Sequence, residues 1–199
     1  MPHRFAEIAF TPDVRAAQVR YGSRQGNARL EALAGPNDAL GDVETEFIAA
    51  RDSFYLATVS ETGWPYIQHR GGPPGFLKVI DPRTLAFADF GGNRQYVTVG
   101  NAASNDRAAL FLMDYANRRR LKLLGRIEVR DVGAAPPELV FQVGLPGYRA
   151  RIERVIVIRV EAFDWNCPQH ITPRFTAAES AARGARGGAR TAAPTSAAR

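Results

Sequence analysis

The sequence is poor in the residues that staple or metallate small proteins. Cys167 is the only cysteine among 199 residues, so neither an intrachain disulfide nor a CxxC zinc site can form. The three histidines, His3, His69 and His170, are too scattered to argue for a metal centre. Long apolar runs are also missing. Nothing approaches the roughly 20 residues of a membrane-spanning helix, and the opening MPHRFAEIAF has no apolar secretion core. No GxGxxG or GxxxxGK[ST] signature occurs, which disfavours nucleoside triphosphate chemistry. These absences predict a soluble, cytoplasmic protein with no membrane partner.

What remains is ordinary for one domain with appendages: 45% of residues are hydrophobic and 23% charged. A compact chain of this size buries roughly two-thirds of its unfolded surface, enough for a core without staples. The net charge of +6 raises the question of nucleic acid. Residues 176–199 supply +3 of it, through Arg183, Arg186, Arg190 and Arg199 against Glu179. That segment has no Leu, Ile, Val or aromatic residue, and it is expected to be a disordered tail.

Three regions follow: an N-terminal helical extension over 1–43, a folded domain over 44–175 and the tail over 176–199. In the extension, Thr11-Pro12-Asp13 reads as a cap, a first-turn proline and a dipole-complementing acid, opening a helix that stops at Gly22. A second helix is expected from about Asp42, with Val43, Phe47 and Ile48 near one face.

From Ser53 the pattern turns to β. FYLATVS and WPYIQHR flank a turn, FLKVI and TLAFADF flank Asp81-Pro82-Arg83, and both pairs read as hairpins. RQYVTVGNAASN reads as a helix and RAALFLMDY as a strand. In RRLKLLGRIEV, Leu121, Leu123, Ile127 and Val129 share one face and the charged residues the other. APPELVFQV reads as a brief helix, and RVIVIRVEAF as a strand buried on both faces. Six or seven strands with few helices between them predict a mainly β fold, a β-barrel with a few peripheral helices.

Four segments could carry chemistry. In Gln68-His69-Arg70-Gly71-Gly72, a guanidinium beside glycines suits an anion, although a polar strand end entering a turn explains the same residues. In Asp89-Phe90-Gly91-Gly92-Asn93-Arg94-Gln95, Asn93 is expected to cap the following helix and to place Arg94 at its positive end. Around Arg118-Arg119-Arg120 and Lys122, alternation puts Arg120, Lys122 and Arg126 on one face as a basic stripe, which solvent explains more simply than RNA because no aromatics alternate with it. Phe163-Asp164-Trp165-Asn166-Cys167-Pro168-Gln169-His170 puts a Trp among polar groups, where it could stack on a planar ligand or a partner. Thiol catalysis by Cys167 with His170 is a poor expectation at this spacing.

With these residues in hand, the chain resembles the pyridoxamine 5'-phosphate oxidase-like group of flavin-binding split barrels, in an uncharacterised branch. The resemblance runs from about Glu44 to Phe163. It is carried by FIAARDSFYLATVSETGWPYIQHRGG, FLKVIDPRTLAFADFGGNRQYVTVGN and RAALFLMDYANRRRLKLLGRIEV, with DWNCPQHITPR similar at the close. It implies a split β-barrel homodimer holding FMN in two symmetric clefts at the interface. Gln68, His69 and Arg70 then match the strand beside the flavin, while Asn93, Arg94 and Gln95 match the segment that grips its phosphate. Gln95 stands where the group has a lysine. Arg120 falls where the group places a polar side chain near the flavin, and Trp165 is expected to cover the ring from the partner subunit. The implied activity is FMN-dependent oxidoreduction of a small organic substrate. A flavin, deazaflavin or haem binding protein without turnover is the alternative. The basic C-terminal pattern of genuine pyridoxamine phosphate oxidases is not evident, so vitamin B6 oxidation is not the leading expectation.

Overall fold

A computed structural model of the chain describes residues 3–33, 35–165 and 168–188. The strands are β1 (Ser53–Val59), β2 (Pro65–Gly71), β3 (Lys78–Asp81), β4 (Thr84–Phe90), β5 (Arg107–Asp114), β6 (Arg119–Asp131) and β7 (Ile152–Trp165). They form one 7-stranded sheet in the order β2-β1-β5-β6-β7-β4-β3. Every pairing is antiparallel. This is the mainly β barrel that the strand pattern predicts, in the split form that the resemblance implies.

The alternation in the sequence becomes the core directly. Phe54 and Leu56 of β1, Leu110 and Leu112 of β5, Leu121, Leu123 and Ile127 of β6, and Ile156 and Ile158 of β7 share one buried cluster. Such a face drives burial at roughly 25 cal/mol per Å² of apolar surface. The sheet rolls around this cluster. Phe54 of β1 meets Phe87 of β4 edge-on at 5.3 Å, although β5, β6 and β7 lie between those strands in the sheet. β7 is buried on its other face too, where Val155 and Val157 pack with Ala86, Ala88 and Val143. Val143 belongs to α6 (Pro137–Val143), which joins β6 to β7.

The roll leaves a seam. β3 pairs with β4 only as far as Ala86, so Phe87–Phe90 have no β3 partner. Into that gap β2 sends Arg70, which reaches Asp89 of β4 at 2.8 Å.

The remaining helices are α1 (Arg4–Ala9), α2 (Pro12–Arg20), α3 (Arg24–Leu33), α4 (Asp42–Ala49), α5 (Val97–Ser104) and α7 (Ala177–Gly188). Thr11 caps α2 as expected, its hydroxyl accepting from the Val14 N–H. α4 buries Phe47 and Ile48 in the main core, but Val43 is 58% exposed, contrary to the expected shared face. Leu40 also joins that core. Two helices of the N-terminal extension were not anticipated. α1 begins behind His3, whose ring nitrogen Nδ1 accepts from Ala6 N–H at 3.2 Å, and α3 follows Ser23.

The expectation of disorder over 176–199 is corrected for its first half, which is helix α7. Thr176 Oγ1 accepts from the Glu179 N–H, and the Glu179 carboxylate accepts from the Thr176 N–H. This reciprocal cap stabilises a helix that needs no apolar face. Residues 189–199, together with Asn166 and Cys167, lie outside the described residues. Among the described residues no helix is long and apolar enough to cross a membrane.

The long β6–β7 ladder shifts register between Leu124 and Gly125. A Cβ at Gly125 would lie 2.5 Å from the Arg159 carbonyl oxygen. Gly125→Ala is therefore expected to destabilise the fold by about 1–3 kcal/mol, as for overpacking against atoms that cannot yield. A lowered urea midpoint at unchanged slope is the measurement that checks it.

Candidate functional site: a cradle of arginines at the seam

The seam between β2 and β4 opens into a cavity of about 190 Å³. Period-two alternation sends Gln68 and Arg70 of β2 to the same side, and both line it. Beyond Phe90 the chain turns on Gly91 and Gly92. Asn93, Arg94 and Gln95 form the next wall, and Tyr96, Val97, Thr98 and Val99 lead into α5. The first N–H groups of a helix have no intrahelical acceptor and favour an anion.

The loop differs from its expected form. Asn93 does not cap α5. Its Oδ1 accepts from the Gln95 N–H at 3.1 Å, closing a local turn. The helix starts at Val97, and Tyr96 occupies the cap position without a side-chain bond. Arg94 and Tyr96 both take left-handed backbone angles, with φ of 59° and 53°. Residues other than glycine reach this region at a cost of about 1–3 kcal/mol each, and such strain concentrates where a loop must present groups to a ligand.

Asp89 organises the charge. Its side chain is buried, and it accepts from Arg70 Nη1 and from Arg154 Nε of β7, each at 2.8 Å. Arg154 also donates to Glu153 at 2.8 Å and lies under the Tyr96 ring at 4.9 Å. Burial pulls the Arg154 pKa down, but the hydrogen bonds and charges of Asp89 and Glu153 outweigh it and raise it above the ordinary value. Arg94 is exposed, and its pKa is raised by the neighbouring Tyr96 hydroxyl and by Glu153. The Arg70 guanidinium sits 5.8 Å from the Phe87 ring centre, and its buried Nε has no hydrogen-bond partner. Tyr66 donates to Gln68 Oε1 and so fixes that amide. The arrangement is a polar cleft with cationic donors from two strands and a loop, suited to an anion such as a phosphate.

Of the residues singled out in the sequence, Gln68, Arg70, Asn93, Arg94 and Gln95 come together here. Three do not. His69 points to the opposite face of β2, where its ring stands 5.8 Å from that of Tyr55. Arg120 lies on the outer face of β6, over Phe111 at 5.9 Å. Trp165 packs edge-on against Phe47 at 4.8 Å and donates to Glu44 at 2.8 Å, so within its own chain it secures α4. The sequence reading missed Tyr66, Tyr96, Asp89 and Arg154 as site residues. Asp89 belonged to a segment already singled out. Arg154 had no local signal, because only the β4–β7 pairing brings it close.

The model of the family described as Pyridoxamine 5'-phosphate oxidase matches residues 41–163. Solved structures similar to this chain include HupZ of Group A Streptococcus, at 17% identity over 68% of this chain and 99% of that one, with a TM-score of 0.49. An FMN-binding protein of Syntrophomonas wolfei is 11% identical over 75% and 97% of the two chains, also with a TM-score of 0.49. A candidate pyridoxamine 5'-phosphate oxidase of Lactobacillus delbrueckii is 18% identical over 66% and 97%, again at 0.49. No curated protein sequence matches the chain.

Removing Asp89 would leave Arg70 and Arg154 facing one another without their shared acceptor. Asp89→Ala is expected to lower stability by about 3 kcal/mol, the low end for breaking a buried pair because both arginines keep some solvent. Equilibrium denaturation reads this directly, and an unchanged midpoint would show that the seam closes without the pair.

Proposed function

The chain belongs to the pyridoxamine 5'-phosphate oxidase family, and from that premise we propose that it is an FMN-dependent oxidoreductase acting as a homodimer on a small organic substrate. The observation that carries this reading is the cradle itself. Arg94, the spare N–H donors of Arg70 and Arg154, and the opening turn of α5 face one cavity.

The residues fit the group. A buried Arg70 Nε without a partner is an unused donor. The amides of Gln68, Asn93 and Gln95 offer further hydrogen bonds on the same walls. In this reading Arg94 and the α5 turn hold the phosphate, while Gln68 orients the ring system beside β2. FMN would supply hydride or electron transfer, and the chain supplies orientation, hydrogen bonding and exclusion of water. No side chain of this chain need serve as acid or base. Vitamin B6 oxidation is not part of the proposal.

The second copy is argued from the other side of the sheet. A groove of about 570 Å³ runs along the outer face between Tyr55, Ile67, Phe111 and Leu124. Ile67 is 66% exposed and Tyr55 39%. A partner covering this strip would bury apolar surface and bring its own Arg120 stripe towards the cleft, giving Arg120 the role the family resemblance implies. The same resemblance would have Trp165 reach the cleft from the partner, although here its indole N–H is committed to Glu44.

Freshly purified protein is expected to show flavin absorbance that a reductant bleaches and air restores, with FMN identified by mass after release. A haem spectrum, a deazaflavin or a colourless protein that takes up no FMN overturns the cofactor assignment. Arg94→Ala is expected to weaken FMN binding in fluorescence titration, and an unchanged affinity removes Arg94 from the site. Light scattering should find the flavin only on dimers; a flavin-loaded monomer defeats the proposed interface.

A further inference from the structure

The helix that opens onto the cradle buries side chains that simple packing does not call for. α5 reads VTVGNAAS, and its buried residues are Thr98 and Asn101, while Val97 is 36% exposed. Three residues apart, the two polar side chains share the face turned to the barrel. Burying an amide is costly unless a partner receives it. Here one does. Asn101 Nδ2 donates to Thr58 Oγ1 of β1 at 3.0 Å, a contact across 43 positions in sequence.

Thr58 is equally out of pattern. Period-two alternation puts it on the core face of β1 with Phe54 and Leu56, and it is 1% exposed. An aliphatic residue there would pack without needing a partner. Directly across from Thr58 in the sheet stands Tyr66 of β2, which lines the cradle and donates to Gln68 Oε1. The Thr58–Asn101 bond therefore joins the strand pair that carries one wall of the cavity to the helix that carries another.

That helix presents unused donors. The Gly100 N–H bonds to the Tyr96 carbonyl, so the N–H groups of Val97, Thr98 and Val99 come before the first helical bond. Tyr96 at the cap position gives them no side-chain acceptor. All three residues line the cavity. In the loop before them, the side-chain bonds of Asn93 and Gln95 stay within the loop, and Arg94 and Tyr96 stand at φ of 59° and 53°. A grip of this kind weakens sharply when its donors shift by about an ångström. Asn101 lies one turn further along α5, and its bond has a direction that apolar packing lacks.

We propose that Thr58 and Asn101 are a positioning pair. Their buried bond holds the opening turn of α5 at the separation from Tyr66 and Gln68 at which its N–H groups take a phosphate, and so sets the preference of the cleft for a phosphorylated ligand over its unphosphorylated form. The inference rests on the flavin reading and deepens it by naming what selects FMN from riboflavin.

Fluorescence titration of the full-length, flavin-stripped protein with FMN and with riboflavin tests it, with the urea midpoint of each variant measured alongside. The wild type is expected to bind FMN about a hundredfold or more tightly than riboflavin, the scale of hydrogen bonds to a charged group. Thr58→Val should reduce that preference about tenfold, as for partners one layer behind a binding group, while riboflavin affinity stays unchanged. Thr58→Ser keeps the hydroxyl and should keep the preference. Replacing both partners, as Thr58→Val with Asn101→Leu, should restore much of the midpoint, since two apolar groups need no bond, but not the preference. Selectivity that survives in Thr58→Val, or returns with the midpoint in the double variant, overturns the positioning role and leaves the cofactor reading intact. A wild type that takes up no FMN sinks the cofactor reading. The pair is then read by calorimetric titration with inorganic phosphate: binding weakened by Thr58→Val sustains it, and binding that is absent or indifferent to the substitution overturns it.

Discussion

A sheet rolled this far must either complete its hydrogen-bonded circuit or find another way to close, and here a single carboxylate bridges the gap. Asp89 of β4 takes one guanidinium from β2 and another from β7. Its burial forbids leaving it unpaired, since an isolated charge in such surroundings is prohibitively unfavourable. The two arginines therefore cannot drift. Ion pairs of this kind add little net stability compared with apolar packing, and their value is positional. In this molecule they fix the width of the seam, and the cavity that could receive an anion is the space beside it.

The strands were legible where their environment is simple. β6 has one dry face and one wet face, so its alternation is visible in RRLKLLGRIEV. The middle of β7, Val155–Ile158, is apolar without a break because the main core and the α6 layer cover its two sides. The helices at the ends were less legible. α1 is six residues long and is capped by a histidine ring rather than by Ser, Thr, Asp or Asn, so the usual start signal is missing. α7 carries its cap plainly, as Thr176 and Glu179. Composition masked it, because a lack of apolar residues argues against packing and says nothing against a capped, alanine-rich helix.

The site divides along the same line between local and non-local information. Gln68 and Arg70 could be paired from period-two alternation, and that rule also turns His69 away from them. Asn93 was ambiguous in principle, since the same side chain serves a helix cap or a tight turn. The glycines before it and the left-handed residues after it decide for the turn. Arg154 was invisible because its relation to Asp89 exists only once β4 and β7 pair. Trp165 looked available for a ligand because Glu44, its actual partner, lies 121 positions away in sequence.

The missing lysine also changes how the cradle can work. Gln95 stands at that place, and Arg154 brings a cation from elsewhere, but accompanied by two carboxylates, Asp89 and Glu153. Against those acids stand Arg70, Arg94 and Arg154, so the local surplus is one positive charge. A lysine would add a mobile point charge; Arg154 adds donors held in fixed directions. Recognition in such a cleft depends on matched N–H geometry more than on the general field. Buried, oriented donors such as those of Arg70 and Arg154 are screened by salt much less than the exposed Arg94.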